Sequence, residues 1–441
     1  MQVSVETKGP LERSVTVDVP EERIAGAVEE QLKSMSRTSR VQGFRPGKAP
    51  MRVIKQRFGP QVRKEVVEKL VSSSFFEAVN QEDLKPVGRP LIDPLREEVG
   101  GGLSYTATFE VMPEISLNPV EKLQIEKPVC DIDDADVERM IEKLRRQRRE
   151  FRTVERAAGE GDRVNVDYQG LVEGEEQENL ASEGVDIEIG EGMFIPGLEA
   201  GLEGATAGQS LELDLTFPND FDNQELAGKP VVFKVQVNQV EEAVLPELDE
   251  EFFKAFGVSE GGEQAFRQEI RNHMDREAET ALRNRYRDSI MQALYEANEI
   301  DVPNTLVNAE FERMREMLAR DMEMRGVARE VAARFTATEE LKNTARRQVA
   351  LQLLTAELIR SKELRAAPEK VREIIESRAQ SYEDSTAFVN WYYNDEKRLA
   401  EIESIALEDE VIGCISSLGK VKDKSLSFDE LMNKGQTNHN G

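Results

Sequence analysis

Cys130 and Cys414 are the only cysteines, and His273 and His439 the only histidines, in the 441 residues. The cysteines are far apart and His439 stands in a polar tail, so none of the spacings that hold zinc occurs. Cys-His and Ser-His-Asp nucleophilic sites need the same partners and are set aside with them. Any chemistry here must run without a metal, an imidazole or a thiolate. A second candidate is Gly43-Phe44-Arg45-Pro46-Gly47-Lys48-Ala49-Pro50, whose glycine-lysine pair suggests a phosphate grip. It fails by spacing. Three residues rather than four precede Gly47-Lys48, and position 49, where Ser or Thr would hold the metal ion, is Ala. Gly190, Gly192 and Gly197 likewise miss the dinucleotide fingerprint. No nucleotide partner is expected.

The same loop lies in an unusual field. The chain carries a formal charge of -28, which argues against a general nucleic-acid binder. Yet from Lys33 to Lys64 there are ten basic residues (Lys33, Arg37, Arg40, Arg45, Lys48, Arg52, Lys55, Arg57, Arg63, Lys64) and no acidic one. Residues 151–245, by contrast, carry 21 acidic and 5 basic side chains, or -16. A basic block inside an acidic chain points to a polyanionic partner for that block alone. The start, MQVSVETKGP, lacks the regions of a signal peptide, and no apolar run nears the roughly 20 residues that span a bilayer. The expectation is a cytoplasmic protein with no membrane partner.

The elements around the basic loop follow from pattern. Ser14 to Val19 alternates as a strand, and Pro20-Glu21-Glu22 opens a helix whose apolar face is Ile24, Val28, Leu32 and Met35. Two glycines and two prolines between Gly43 and Pro50 require a shaped loop. Pro50 suits a first helical position, and Gly59-Pro60 is expected to separate a short helix from a longer one carrying Val62, Val66 and Leu70. Phe44 between cationic neighbours has the composition of a docking tip for a mixed protein and RNA surface.

The loop GFRPGKAP, the strand VTVDVP before it and VGRPLIDP at Val87 to Pro94 after it together resemble the ribosome-binding domain of the trigger factor family of bacterial ribosome-associated chaperones. That resemblance implies that Gly43, Phe44, Arg45, Pro46, Gly47, Lys48 and Pro50 dock on a ribosomal protein and rRNA beside the tunnel exit of the large subunit. The alternation Leu103, Tyr105, Ala107, Phe109, Val111 closes an α+β domain near Met112.

Four further alternating segments fall at Val164–Tyr168, Val185–Ile189, Leu211–Phe217 and Val231–Val237, the pattern of a half-exposed antiparallel sheet. Between the second and third, Phe194-Ile195-Pro196-Gly197 bends into a short helix that can cover the sheet's apolar face. With Val166-Asp167-Tyr168, Gly170, Phe217-Pro218-Asn219-Asp220-Phe221 and Phe233, this region resembles the FKBP-like peptidyl-prolyl isomerases. By that resemblance Tyr168, Phe194, Ile195, Leu198, Phe221 and Phe233 line the prolyl pocket, and no cofactor is needed. Two positions depart from the family pattern: Gln177-Glu178 stands where an aromatic residue and an acid are common, and Leu198 where the pocket floor is usually Trp or Phe. Less aromatic surface implies weak isomerase activity.

Residues 246–432 are poor in glycine and read as long helices with narrow apolar stripes, suited to arms that expose much surface. Met314, Met317, Met322 and Met324 cluster there, and flexible thioethers suit a surface that accepts many unfolded partners. Asp134 to Arg149 is expected to be a helix with Val137, Met140, Ile141 and Leu144 on one face. Ala406-Leu407-Glu408-Asp409-Glu410 and Phe428 to Asn433 extend the trigger factor resemblance to nearly the whole chain.

The expected fold is multidomain α+β: a ribosome-binding domain over 1–112, a linker and first part of the helical domain over 113–150, an inserted FKBP-like antiparallel β-sheet domain with a short helix over 151–245, an extended all-α carboxy-terminal body with arms over 246–432, and a disordered tail over 433–441. The expected function is an ATP-independent chaperone that docks at the tunnel exit, holds nascent and unfolded polypeptides and isomerises X-Pro bonds; off the ribosome the family implies a homodimer. The rival readings are a free FKBP-type folding enzyme and an adaptor with an inert pocket.

Overall fold

The structure is a computed structural model of the chain, and it describes residues 1–433 apart from 39–43, 45–48, 94, 95, 99–101, 173, 220, 222, 224, 225, 337, 381 and 383. Strands β1 (Gln2–Thr7) and β2 (Glu12–Val19) lead into helices α1 (Glu21–Thr38) and α2 (Met51–Gln81), then β3 (Pro86–Ile92), β4 (Arg96–Glu98) and β5 (Gly102–Val111). The strands form one sheet of order β1-β2-β5-β3, with β4 also paired to β5. Alternation buries Val15, Val17, Tyr105, Ala107 and Phe109 against Ile24 and Leu32 of α1 and Val62, Val66 and Leu70 of α2. The last strand in sequence is therefore an interior strand of the sheet.

Gly59-Pro60 does not divide two helices as expected, because Pro60 lies inside the continuous α2. A proline restricts its predecessor through a clash with that residue's Cβ. Gly59 has no Cβ, and the space around it is open, so the helix continues with one backbone hydrogen bond fewer.

Next come a 3-10 turn at Val120–Lys122, β6 (Gln124–Val129) and α3 (Asp134–Gln147). Asp133 caps α3 in a reciprocal box with Asp136, and Val137 and Ile141 are buried as the periodicity requires. Strands β7 (Glu150–Thr153), β8 (Arg163–Val172), β9 (Glu175–Glu188), β10 (Ser210–Thr216) and β11 (Pro230–Val244), with helix α4 (Leu198–Leu202) between β9 and β10, build the second sheet. Its order is β10-β11-β8-β9, with β7 on β11, so it has five strands where four are expected; β7 gives little signal because Phe151 is its only apolar residue.

The remaining helices are α5 (Glu250–Ala255), α6 (Gly262–Ala297), α7 (Asn304–Met324), α8 (Arg329–Phe335), α9 (Glu339–Lys362), α10 (Pro368–Ala379), α11 (Ser385–Tyr393), α12 (Glu396–Leu418) and α13 (Phe428–Met432). One element there is not helical: β12 (Lys420–Ser425) pairs with β6. No helix among the described residues is long and apolar enough to cross a membrane.

The chain forms two compact units. One comprises Met1–Pro128 and Asn284–Lys424 and contains the first sheet, a core of Val120, Ile125, Ile290, Leu294, Leu354, Leu358, Val411 and Ile415, and a smaller one of Val371, Ile375, Tyr392, Ile402 and Ala406. The other comprises Val129–Arg283 and the residues from Ser425 onward. It contains the second sheet and a core in which Val137 and Ile141 of α3, Phe252 and Phe253 of α5, Phe266 and Ile270 of α6, and Phe428 and Leu431 of α13 meet.

Candidate functional site

The second sheet brings the sequence-predicted pocket residues together. β8 and β11 are antiparallel neighbours with Phe233 opposite Gly170 and Val235 opposite Tyr168. Even-numbered residues of β8 and odd-numbered residues of β11 therefore share the inner face. Tyr168, Phe194, Ile195, Leu198, Phe221 and Phe233 all belong to one hydrophobic cluster with Val166, Ile187, Leu202, Phe217 and Val237. Within it Leu198 and Phe233 are 3% and 4% exposed, whereas Tyr168, Phe194, Ile195 and Phe221 are half-buried. The first two thus belong to the buried core, and the other four are partly exposed at its surface. The Tyr168 and Phe233 rings meet edge to face at 5.7 Å, and Phe217 and Phe221 meet at 4.7 Å. Gly170 leaves room for this: a Cβ there would come within 3.2 Å of the Phe233 ring and 2.8 Å of Leu180 Cβ.

The bend that delivers Phe194 and Ile195 is held by a residue the sequence reading missed. The Glu199 carboxylate, in the first turn of α4, accepts hydrogen bonds from the backbone N–H groups of Gly190 (3.0 Å), Gly192 (2.9 Å) and Phe194 (3.2 Å). Burial disfavours its ionised form, but the N–H groups of Gly192, Phe194 and Gly190 outweigh that and hold its carboxyl below the usual carboxylate range. The available signal was an acid just after a glycine-rich loop at the start of a short helix. Gly197, with φ +94°, takes the left-handed conformation that turns the chain into α4.

Gln177, one of the two family departures, lies in β9, where its carbonyl accepts a hydrogen bond from Gln169 Nε2 at 3.1 Å; the side chain of Glu178 is outside the described residues, as is Asp220. A cleft of about 640 Å³ opens among Asp167, Gln169, Glu183, Glu212 and Lys234. Of the six pocket candidates it touches only Tyr168.

In the first sheet's domain, Phe44 is 41% exposed between α1 and α2, and Pro50 is the exposed N-cap of α2. Gly43, Arg45, Pro46, Gly47 and Lys48 lie outside the described residues. Among the described basic residues, Arg63 makes a bidentate pair with Glu21 at 2.8 Å, Lys33 lies 3.1 Å from Glu29, and Arg57 lies over the Phe58 ring at 5.9 Å. Arg37, Arg52, Lys55, Arg57 and Lys64 have exposed side chains.

The four methionines fall on α7. Met317 and Met324 are 60% and 81% exposed, seven residues apart and so on one face, while Met314 and Met322 are half-buried. Pairs spaced three or four residues apart, Arg313–Glu310, Arg315–Glu312, Arg320–Glu316 and Arg325–Asp321, support this exposed helix locally.

Comparison with known proteins agrees with these features. Residues 1–144 match the family model described as bacterial trigger factor protein, residues 264–417 that of the trigger factor C-terminus, and residues 154–238 that of FKBP-type peptidyl-prolyl cis-trans isomerase. The trigger factor of Alcanivorax borkumensis is 40% identical over 98% of this chain and 98% of its own, and that of Thioalkalivibrio sulfidiphilus is 40% identical over the same shares. A solved structure described as "Promiscuous Substrate Recognition in Folding and Assembly Activities of the Trigger Factor Chaperone" is 18% identical, covers 95% of this chain and 99% of that chain, and has a TM-score of 0.48. With a basic helical hairpin domain at one end of the sequence, an FKBP-type sheet in the middle and full-length relatives at this identity, the chain belongs to the trigger factor family of ribosome-associated chaperones that carry a prolyl-isomerase domain.

Proposed function

We propose that the chain docks beside the tunnel exit of the large ribosomal subunit through Phe44, Arg45 and the rest of Gly43 to Pro50, holds emerging polypeptides on its helical arms without ATP, and isomerises X-Pro bonds weakly in the second sheet's apolar pocket. The reading assigns docking to 1–112, isomerisation to 151–245 and client holding to 113–150 with 246–432, in a cytoplasmic protein that pairs with a second copy off the ribosome. Family membership and the +10 block at 33–64 support the docking half.

The gathering of Tyr168, Phe194, Ile195, Leu198, Phe221 and Phe233 in one cluster carries the isomerase half. Amide resonance sets a barrier of roughly 18 to 20 kcal/mol to rotation about the peptide bond. X-Pro bonds exchange slowly for that reason, although their cis form is only slightly disfavoured. At the twisted transition state the amide has lost resonance and is less polar, so a pocket that strips water from it favours that state over the planar one. No nucleophile takes part. Leu198 in place of an aromatic floor, and Gln177 in place of an aromatic rim, reduce the apolar surface offered to the ring. Isomerisation of a short prolyl peptide by the full chain, compared with a Phe194→Ala, Phe221→Ala variant, is the test: equal rates contradict the assignment.

The methionines Met314, Met317, Met322 and Met324 are assigned to client holding because two of them are exposed on a helix stabilised by its own ion pairs. Thioethers adapt to many partners at little conformational cost.

A further inference from the structure

Helix α7 begins without a cap of its own. Its N-cap residue is Pro303, which makes no side-chain capping bond, and its first turn holds no acidic residue. The first N–H groups of a helix need an acceptor, and here it comes from the first sheet, almost two hundred positions away in sequence. Glu110 of β5 accepts from Asn304 N at 3.0 Å and Asn304 Nδ2 at 3.2 Å through one oxygen, and from Thr305 N at 2.7 Å and Thr305 Oγ1 at 2.6 Å through the other. Both oxygens are thus used, against the positive end of the helix dipole.

A second contact lies beside it. Gly88 in β3, with φ +73°, packs so closely on the Thr305 methyl that no Cβ fits there. The two contacts fall on adjacent strands, since Val87 stands opposite Glu110 in the β3–β5 register. Together they fix both the end and the side of the first turn of α7. Glu12, across from Glu110 on β2, lines the same cleft of about 580 Å³ together with Glu296, Glu299, Asp301 and Arg346. Arg346 turns its guanidinium to Asn304 Oδ1 at 3.4 Å.

We propose that Glu110 is a cross-domain helix cap that sets the direction in which α7 leaves the ribosome-docking domain, so that the arm bearing Met317 and Met324 holds a fixed position relative to the docking sheet. Removing the cap leaves the N–H groups of Asn304 and Thr305 to water and lets the arm swing about Pro303. The consequence for clients rests on the assignment of α7 to client holding; the geometry of the cap does not.

The experiment reads the geometry directly. In the full chain with Cys130 and Cys414 replaced by Ser, spin labels at Ser4→Cys on β1 and Arg320→Cys on α7 report one distance distribution, and hydrogen exchange reports the Asn304 and Thr305 amides. Glu110→Ala is expected to broaden the distribution roughly twofold or more and to speed exchange of those two amides by about tenfold or more, with the far-ultraviolet spectrum unchanged. Glu12→Gln, which removes a charge from the same cleft without touching the cap, leaves both readings at the parent values. Thr305→Val keeps the packing on Gly88 but loses one donor, and gives an intermediate broadening even where Glu110→Ala fails to fold. A parent-like distribution and parent-like amide exchange in Glu110→Ala, or in Thr305→Val if that alone folds, overturn the proposal. A broadened distribution in Glu110→Ala with binding of a fluorescent unfolded polypeptide unchanged would leave the cap standing and count against the client assignment alone.

Discussion

The rings of Tyr168 and Phe233 meet in a T-shaped contact across adjacent strands, 5.7 Å between centroids with the planes 72° apart, the Tyr168 ring half-exposed and the Phe233 ring buried. The difference in burial separates catalysis from stability. Tyr168→Leu keeps an apolar side chain there but loses the aromatic ring, and is expected to lower turnover of a short prolyl peptide about tenfold, or ~1.4 kcal/mol of barrier, with a stability change under about 1.5 kcal/mol. Phe233→Ala lowers turnover as well, but also removes about 3 to 5 kcal/mol of stability as a buried aromatic. Gly170→Ala is expected to destabilise by about 1 to 3 kcal/mol through its clash with Leu180 and the Phe233 ring. Peptide turnover together with urea denaturation checks all three; unchanged turnover in Tyr168→Leu removes that residue from the pocket.

Glu199 makes the bend at Phe194 acid-sensitive. Because the folded-state pKa is depressed, the three hydrogen bonds to its carboxylate stabilise the fold fully above the unfolded value of about 4.3. Their contribution is lost as pH falls from there through the lower folded value. Glu199→Gln should therefore lower stability at pH 7 by only a screened fraction of a buried hydrogen bond's worth, and the gap to the parent should narrow as the pH is lowered through the carboxylate range. Denaturation midpoints across pH 7 to 3 measure this. A gap that stays constant would show that Glu199 is not the acid-sensitive group.

The two exposed thioethers of α7 make a separate prediction. Met317→Ser with Met324→Ser should weaken binding of an unfolded polypeptide severalfold while shifting stability by less than about 0.5 kcal/mol, since neither side chain is packed in a core. Titration of a fluorescent unfolded client against parent and variant decides it, and equal affinities would move client holding elsewhere.

Legibility in the sequence tracked how much apolar surface each element buries. Strands β8, β10 and β11 alternate because one face covers a core, and Val164, Leu213 and Val235 announce it. β1 and β12 are almost wholly exposed, so no alternation marks KVKDKS as a strand; its pairing with β6 is a tertiary fact. That Tyr168, Phe194, Ile195, Leu198, Phe221 and Phe233 meet in one cluster was readable because aromatic and apolar types at those spacings have a family precedent. Glu110 and Glu199 were not, because they are 2 of 86 acidic residues and their roles depend on which N–H groups the fold brings to them. Pro60 misled because proline usually ends a helix, and the neighbouring glycine that permits it to continue is itself commonly a breaker.

Whether the basic hairpin domain anchors the chain to the ribosome is decided by cosedimentation of a Phe44→Ala, Arg45→Ala double variant with purified ribosomes. Contacts to phosphate weaken steeply with salt, so the parent should pellet strongly at low salt and progressively less as salt rises. The double variant is expected to lose most of its ribosome-bound fraction at low salt while keeping full prolyl-peptide turnover; pelleting as fully as the parent across the salt series would rule out anchoring through this loop.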